Sequence, residues 1–402
     1  MSAPARRRPA LAALRPAARY LRRACQVVYG TMVDRLEVAR GGALPARPII
    51  VDGCAFQDPR SGIARVWSRV LAEWATSDFA SNVLVIDRGG LAPKHPGFAY
   101  APALPLVAHD IKAERAMLQS LCDRARAQVF VSTLYSYPER TPSLLLTHDF
   151  VPEVMGWDLA SPVWRDKRGA IRRASGFVCI SQNTADDLRR FYPEAAERPA
   201  RIVRLGVSDD FRPAPAEDVR ALREKLDLPD TYYVFVGHRD IHKNAELVFD
   251  SLAHLHGLQA FGLLMIGGAP ELEPQYRKQA GGTPVRIARL SDAELRAAYT
   301  GAAALLFPSR YEGFGLVILE AMACGCPVVT CRNSALPEVA GDAALYVGED
   351  APEQLAAAMR AVLDPTERER LVAAGLEWSA GFTWSETAAG LAGALAEGWP
   401  PR

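Results

Sequence analysis

The chain has 402 residues, a net charge of +1 and 49% hydrophobic residues. Two globular domains fit that length and apolar content, and the near-neutral balance excludes the basic footprint of a nucleic-acid-binding protein. Seven scattered cysteines without disulfide or zinc spacing fit a reducing compartment. The sequence lacks a run of 18 apolar residues, so no spanning helix is expected, and its N-terminus lacks the apolar core of a signal peptide.

Charge is unevenly spread. Residues 1–47 hold ten Arg, no Lys, and only Asp34 and Glu37 as acids. Leu11, Leu14, Ala18, Leu21, Cys25, Val28, Met32 and Leu36 recur at helical spacing with Arg between them. The pattern predicts a basic amphipathic arm that lies on an anionic membrane surface, packs as a helix on the body, or stays disordered. Pro48–Asp52 is the first strand signal. Gln57–Gly62 follows as a loop and Ile63–Trp74 as a helix, a connection where Gly62 permits close approach of a phosphate.

Strands at 82–87, 128–132 and 143–147 and a helix at 111–126 continue the alternation that marks a parallel sheet under helices. His148-Asp149 ends the third of these strands, at the edge where such sheets bind ligands. Trp164–Ala174 reads as a helix carrying Arg165, Lys167, Arg168, Arg172 and Arg173, a solvated face or a site for membrane or acceptor phosphate. A strand at 176–181, a helix at 183–191 and a strand at 201–207 lead to a proline- and acid-rich stretch read as a linker over 206–217.

The alternation then restarts with a strand at Tyr232–Val236 and a loop from Gly237 to Asn244. Arg239 and Lys243 bracket the start of the helix at 245–255, a pair that suits a diphosphate through charge-assisted hydrogen bonds and the helix dipole. Strands at 261–266 and 285–290 and a helix at 291–299 capped by Ser291 come next. Ala302–Phe307 is apolar on both faces and closed by Pro308, as a buried strand is. Its turn, Tyr311-Glu312-Gly313-Phe314-Gly315, leads into a helix at 316–323 that carries Glu320. A strand, a glycine turn and a helix start make a site for anions and sugar hydroxyls. A strand at 326–330, a loop at 334–338 and helices at 354–363, 365–374 and 384–395 complete the chain.

Taken together these motifs resemble glycosyltransferase family 4. Glu312 to Glu320 has the family's Glu-x7-Glu spacing, followed by Ala321-Met322-Ala323-Cys324-Gly325-Cys326-Pro327-Val328-Val329, and Gly237–Asn244 is similar to its phosphate loop. Ser61-Gly62-Ile63-Ala64-Arg65, Thr147-His148-Asp149, Ile180-Ser181, the loop containing Glu338 and Phe382-Thr383-Trp384 fit in the family's order. His242 and Ala64 depart from frequent family residues, positions able to tune donor or acceptor choice.

The resemblance implies an α/β chain of the GT-B fold, two Rossmann-like domains facing across a cleft. The expected boundaries are an arm at 1–47, an acceptor domain at 48–208 with a returning helix at 383–397, and a nucleotide-sugar domain at 209–382. It implies a retaining hexosyltransferase, with mannose among the candidate sugars. Its partners would be a nucleotide diphosphate sugar and a glycan or lipid-linked acceptor. The enzyme would be cytoplasmic; residues 1–47 lie outside the resemblance, and it is their own pattern that would hold it at the inner membrane face.

By the same resemblance Glu320 binds the donor ribose. Glu312 and the backbone of Gly313, Phe314 and Gly315 hold the sugar, and Arg239 and Lys243 neutralise the diphosphate. His148 reaches the sugar, and Gly62 admits the phosphates. Alanine at Arg239 or Lys243 is expected to leave the fold intact. The sequence contains no Asp-x-Asp, so no cofactor and no essential metal are expected. The alternatives are a non-catalytic nucleotide-sugar-binding scaffold and, more weakly, a two-domain nucleotide-sugar epimerase.

Overall fold

Strands buried on both faces need apolar side chains in both directions, and the sequence supplies them in two separate series. The computed structural model of the chain describes residues 46–106, 111–255 and 260–397. The helix expected between Leu11 and Leu36 lies outside the described residues.

The first series is β1 (Ile49–Asp52), β2 (Val83–Arg88), β3 (Ala99–Ala103), β4 (Val129–Ser132), β5 (Ser143–Thr147), β6 (Gly176–Cys179) and β7 (Ala200–Ile202). These form one parallel sheet in the order β3-β2-β1-β4-β5-β6-β7. Val51 stands opposite Val85 on one side and Val131 on the other, and all three are fully buried.

The second series is β8 (Thr231–Val236), β9 (Phe261–Ile266), β10 (Val285–Ala288), β11 (Ala304–Phe307), β12 (Val328–Cys331) and β13 (Leu345–Val347). It forms a parallel sheet in the order β10-β9-β8-β11-β12-β13. Chain order reverses between β1 and β4 in the first sheet and between β8 and β11 in the second. Loops on either side of such a reversal diverge and leave a crevice at the carboxyl edge.

The helix Gly62–Trp74 shows how the first domain is held. Ser61 caps it by accepting from Ala64 N at 3.1 Å, and Val66, Trp67, Val70, Leu71 and Trp74 recur at three- and four-residue spacing on its buried face. Each such aliphatic side chain contributes about 1.5–3 kcal/mol on burial. This helix packs on the terminal helix Trp384–Ala396, where the Trp74 indole donates to the Ala388 carbonyl at 2.8 Å. The last helix therefore returns to the first domain. The return is tight, because a Cβ on Gly206 would lie 2.2 Å from Trp384 N.

Several sequence-based boundaries differ from the structure. Ala216–Leu226 is a helix rather than the end of a linker, started by Pro215 and by Glu217 and Asp218 in its first turn. The stretch 334–338 is not wholly a loop, since a short helix starts at Leu336 with proline in its first turn, where no amide is needed. The strand expected at 201–207 is confined to Ala200–Ile202, and Val207 pairs instead with the returning segment at Thr383.

Candidate functional site

The loops after β8 and β11 flank the reversal in the second sheet, and they are stitched together. Arg310 N donates to the His242 carbonyl at 2.7 Å. The Asn244 amide donates to the carbonyls of Pro308 and Glu349 at 3.2 and 2.8 Å. Gly237, at φ +127°, turns the chain out of β8 where a side chain would be strained.

This stitching brings Lys243 to Glu312. The ammonium donates to Glu312 Oε1 at 2.6 Å and lies 5.1 Å from the centre of the Phe307 ring. Both side chains retain solvent access, 20% and 13%, so the pair lines the crevice rather than the core. Arg239 goes elsewhere. Its Nε donates to Glu273 at 2.7 Å and its Nη2 to the carbonyls of Ala269 and Glu271 at 2.8 Å each, while Nη1 is buried without a partner among the described residues. At 1% exposure it is a strut for the loop after β9. Alanine there would remove that strut as well as a charge, contrary to the expectation of an undisturbed fold.

The turn after β11 meets the first domain through its backbone. Gly313 O accepts from Ser181 Oγ at 2.8 Å and Thr184 Oγ1 at 3.0 Å. A Cβ on Gly313 would lie 1.8 Å from the His148 carbonyl, so only glycine fits. Phe314 is buried with its ring against Phe382, which leaves its main chain as the part able to face a ligand. Gly315, at φ +115°, starts the helix Leu316–Ala323.

Glu320, in that helix, is 6% exposed. One oxygen accepts from Arg65 Nη1 at 2.9 Å and the other from the Tyr299 hydroxyl at 3.4 Å. Burial raises its carboxyl above the usual range, and the Arg65 guanidinium pulls it back. Arg65 also donates to Asp292 at 2.8 Å and belongs to the first-domain helix that begins at Gly62. A Cβ on Gly62 would meet nothing within 4 Å, so the space beside it is open.

His148 follows β5 and is 7% exposed, with Nε2 buried and unpartnered among the described residues. Burial, reinforced by Lys167 and opposed by Asp149, lowers it to about 4, so the ring is neutral near pH 7.

Two further contacts close the cleft. The Tyr311 hydroxyl donates to Asp187 at 2.7 Å and accepts from Phe150 N at 3.2 Å, and its ring sits in a cluster of first-domain apolar residues. Both Glu338 oxygens accept, at 2.7 Å each, from the amides of Gln182 and Asn183, the first two backbone donors of the helix Gln182–Phe191.

The structure thus joins Lys243 with Glu312 and sets His148 against Gly313. Gly62 and Glu320 come to the two sides of the Arg65 contact. Sequence reasoning gave no role to Arg65, Tyr299, Tyr311 or Asp187. Arg65 stood within a recognised stretch, but its partner is 255 residues away and no local pattern announces it.

Residues 230–365 match the family model described as Glycosyl transferases group 1. Over 216 residues the chain is 29% identical to the O-antigen chain mannosyltransferase B of Escherichia coli, covering 52% of this chain and 56% of that protein. Over 164 residues it is 32% identical to a GDP-mannose-dependent phosphatidylinositol dimannoside mannosyltransferase of Mycobacterium tuberculosis, covering 40% and 43%. The chain therefore spans about half the length of these curated relatives. Anabaena HepE, solved in complex with UDP-glucose, superposes with a TM-score of 0.67 at 15% identity over 87% of this chain and 99% of that one. The fold is GT-B, two parallel-sheet Rossmann-like domains with helices.

Proposed function

We propose that this chain is a retaining glycosyltransferase of the family-4 type that moves a hexose from a nucleotide diphosphate sugar to a hydroxyl of a glycan or lipid-linked acceptor. The observation that carries the reading is the Lys243–Glu312 pair, 2.6 Å apart at the reversal of the second sheet, in the same turn that leads to Glu320. Relatives named as mannosyltransferases favour mannose as the sugar.

As the glycosidic bond to the diphosphate breaks, negative charge grows on the leaving group and positive character on the anomeric carbon. Lys243 supplies a fixed cation for the first and Glu312 a carboxylate for the second, each worth most in a crevice shielded from water. Arg239, ion-paired with Glu273, braces the neighbouring glycine edge rather than facing the diphosphate directly. The main chain of Gly313, Phe314 and Gly315 offers amides to the sugar, and neutral His148 offers a ring nitrogen from the first domain.

Glu320 accepts the ribose hydroxyls once Arg65 yields one of its oxygens. Arg65 lies on the helix that starts at Gly62, so it is placed to follow the phosphates. Domain closure through Tyr311 and Glu338 keeps water from the reacting carbon. With side-chain cations in this role, the reaction needs no essential metal. Residues 1–47 bring the enzyme to the cytoplasmic face of the membrane, where a lipid-linked acceptor is found.

The test is a panel of UDP- and GDP-hexoses given to the purified protein, reading hydrolysis with and without chelator. Turnover of one donor that survives EDTA, with retained anomeric configuration by NMR, is expected. No turnover of any donor, or inversion, would overturn the reading.

A further inference from the structure

The helix Pro162–Arg173 was singled out in the sequence and takes no part in the donor chemistry. Just before it, Trp157 is 40% exposed, and its ring lies 5.9 Å from that of Trp164 on the helix. Trp157 also meets His242 of the second domain edge-on at 6.2 Å. The two tryptophans therefore reach both walls of the cleft. His242 immediately precedes Lys243, which holds Glu312. On the other wall Trp164 lies 5.9 Å from the Lys167 ammonium, which donates to the Asp149 carbonyl next to His148.

Beside this aromatic pair stand two cations outside any salt bridge among the described residues, although Arg165 acts on the carboxyl of its neighbour Asp166, pulling it down against the rise that burial causes. Arg168 is one helical turn after Trp164 and shares its face, and Arg165 neighbours Arg168 at three-residue spacing. Neither side chain forms an ion pair or a hydrogen bond among the described residues, and Arg168 Nε is buried without a partner. By contrast Arg172, farther along, pairs with Glu194 at 3.2 Å.

We infer that Trp157, Trp164, Arg165 and Arg168 form the acceptor subsite, and that the acceptor is a saccharide carrying an anionic group, phosphate or carboxylate. The inference rests on the transferase reading above and names the acceptor's chemistry. An aromatic pair at the cleft mouth, Trp157 exposed and Trp164 half-buried, removes the CH face of a pyranose from water, and indole rings supply large rigid area at little entropic cost. Unpaired guanidiniums match phosphate and carboxylate in a planar, two-pronged geometry. A bare lipid surface would engage the cations but does not account for a tilted indole pair that meets His242 across the cleft.

The test uses full-length protein with the donor site filled by excess UDP or GDP. Binding of mannose 1-phosphate and methyl mannoside is measured by saturation-transfer NMR and calorimetry. Wild type should bind the phosphate at least about tenfold more tightly, the scale of one charge-assisted contact. Trp157→Ala and Trp164→Ala should each lose about tenfold for both sugars, the scale set by truncating an aromatic contact, and Trp→Phe should restore most of it. Arg165→Ala with Arg168→Ala should abolish only the preference for phosphate, and Arg172→Ala should behave as wild type.

Vesicles of phosphatidylcholine carrying a mannosyl-phospho-polyprenol, or an equal charge of phosphatidylglycerol so that residues 1–47 meet the same field on both, separate a lipid-linked from a free acceptor. Tighter binding to the loaded vesicles assigns the lipid-linked source, and equal binding to both assigns a soluble one. Equal sugar binding by all variants, or a preference for the loaded vesicles that the tryptophan and arginine variants leave unchanged, would overturn the subsite. Donor turnover with tryptophan-independent sugar binding would sink the subsite alone. Tryptophan-dependent sugar binding without any nucleotide-sugar turnover would sink transfer and leave the subsite standing.

Discussion

Glu312 and Glu320 belong to one strand-turn-helix unit, eight positions apart, and each meets one cation. Glu312 lies in the turn, keeps some solvent access, and pairs with Lys243 of its own domain. Glu320 lies in the helix, is nearly sealed, and pairs with Arg65 of the opposite domain. The first pair is preassembled by the stitched loops and stays intact if the domains part. The second exists only while the domains are closed. A carboxylate preorganised beside the reacting carbon suits the chemical step, whereas one whose partner crosses the cleft suits binding coupled to closure.

The largest effect should come from removing charge at the preassembled pair. Glu312→Gln keeps the shape of the turn and should lower kcat by about 10²–10³-fold, the range seen when one preorganised electrostatic group is lost. Turnover near wild type would detach Glu312 from the chemistry. Lys243→Ala should cost about ten- to a hundredfold in kcat/KM, because a charge-assisted contact to the diphosphate is worth about 1.5–3 kcal/mol. Full activity in this variant would remove Lys243 from the leaving-group role.

The cross-domain pair should respond more mildly. Glu320→Ala should raise KM by about tenfold through loss of the ribose hydrogen bonds. Arg65→Ala sharpens the contrast through pH. Burial raises the Glu320 carboxyl and Arg65 lowers it, so without Arg65 the carboxyl takes up its proton at higher pH. KM of Arg65→Ala should therefore climb more steeply than that of wild type as pH falls. Parallel KM profiles would show that Arg65 does not tune Glu320.

His148 gives a stability effect in the same direction of pH. Its folded value of about 4 lies below the ordinary 6.5, so the unfolded chain protonates first on acidification. The associated stability is complete above about 6.5 and is lost as pH falls toward 4. Urea unfolding of wild type and His148→Gln across that window should show a smaller loss in the variant, and equal losses would argue against a buried neutral ring. The smallest change is expected from deleting residues 1–47. Hydrolysis of a soluble donor should stay as it was while binding to anionic vesicles disappears, and undiminished vesicle binding would move the membrane contact elsewhere.

The turn and helix from Glu312 to Glu320 were legible in the sequence because a doubly buried strand, flanking glycines and an apolar helix are all local patterns. The helix Leu316–Ala323 and the strand Phe261–Ile266 have the bounds their sequences predict. β3 was not legible, since Ala99–Ala103 is short and contains a proline. The helix Ala216–Leu226 was obscured by Pro213 and Pro215, which read as linker although proline also starts helices. What joins the domains lay beyond sequence reasoning for another reason. Tyr311 to Asp187, Glu338 to Gln182 and Arg65 to Glu320 link residues 124 to 255 positions apart, and each side chain alone has the look of a solvated one.

Steady-state kinetics of Glu312→Gln and Glu320→Ala on one donor test the division between the two carboxylates most directly. Glu312→Gln should act chiefly on kcat and Glu320→Ala chiefly on KM, because the first carboxylate meets charge that develops only in the transition state and the second meets hydroxyls bound throughout. The crossed pattern, with Glu312→Gln raising KM and Glu320→Ala lowering kcat, would contradict it.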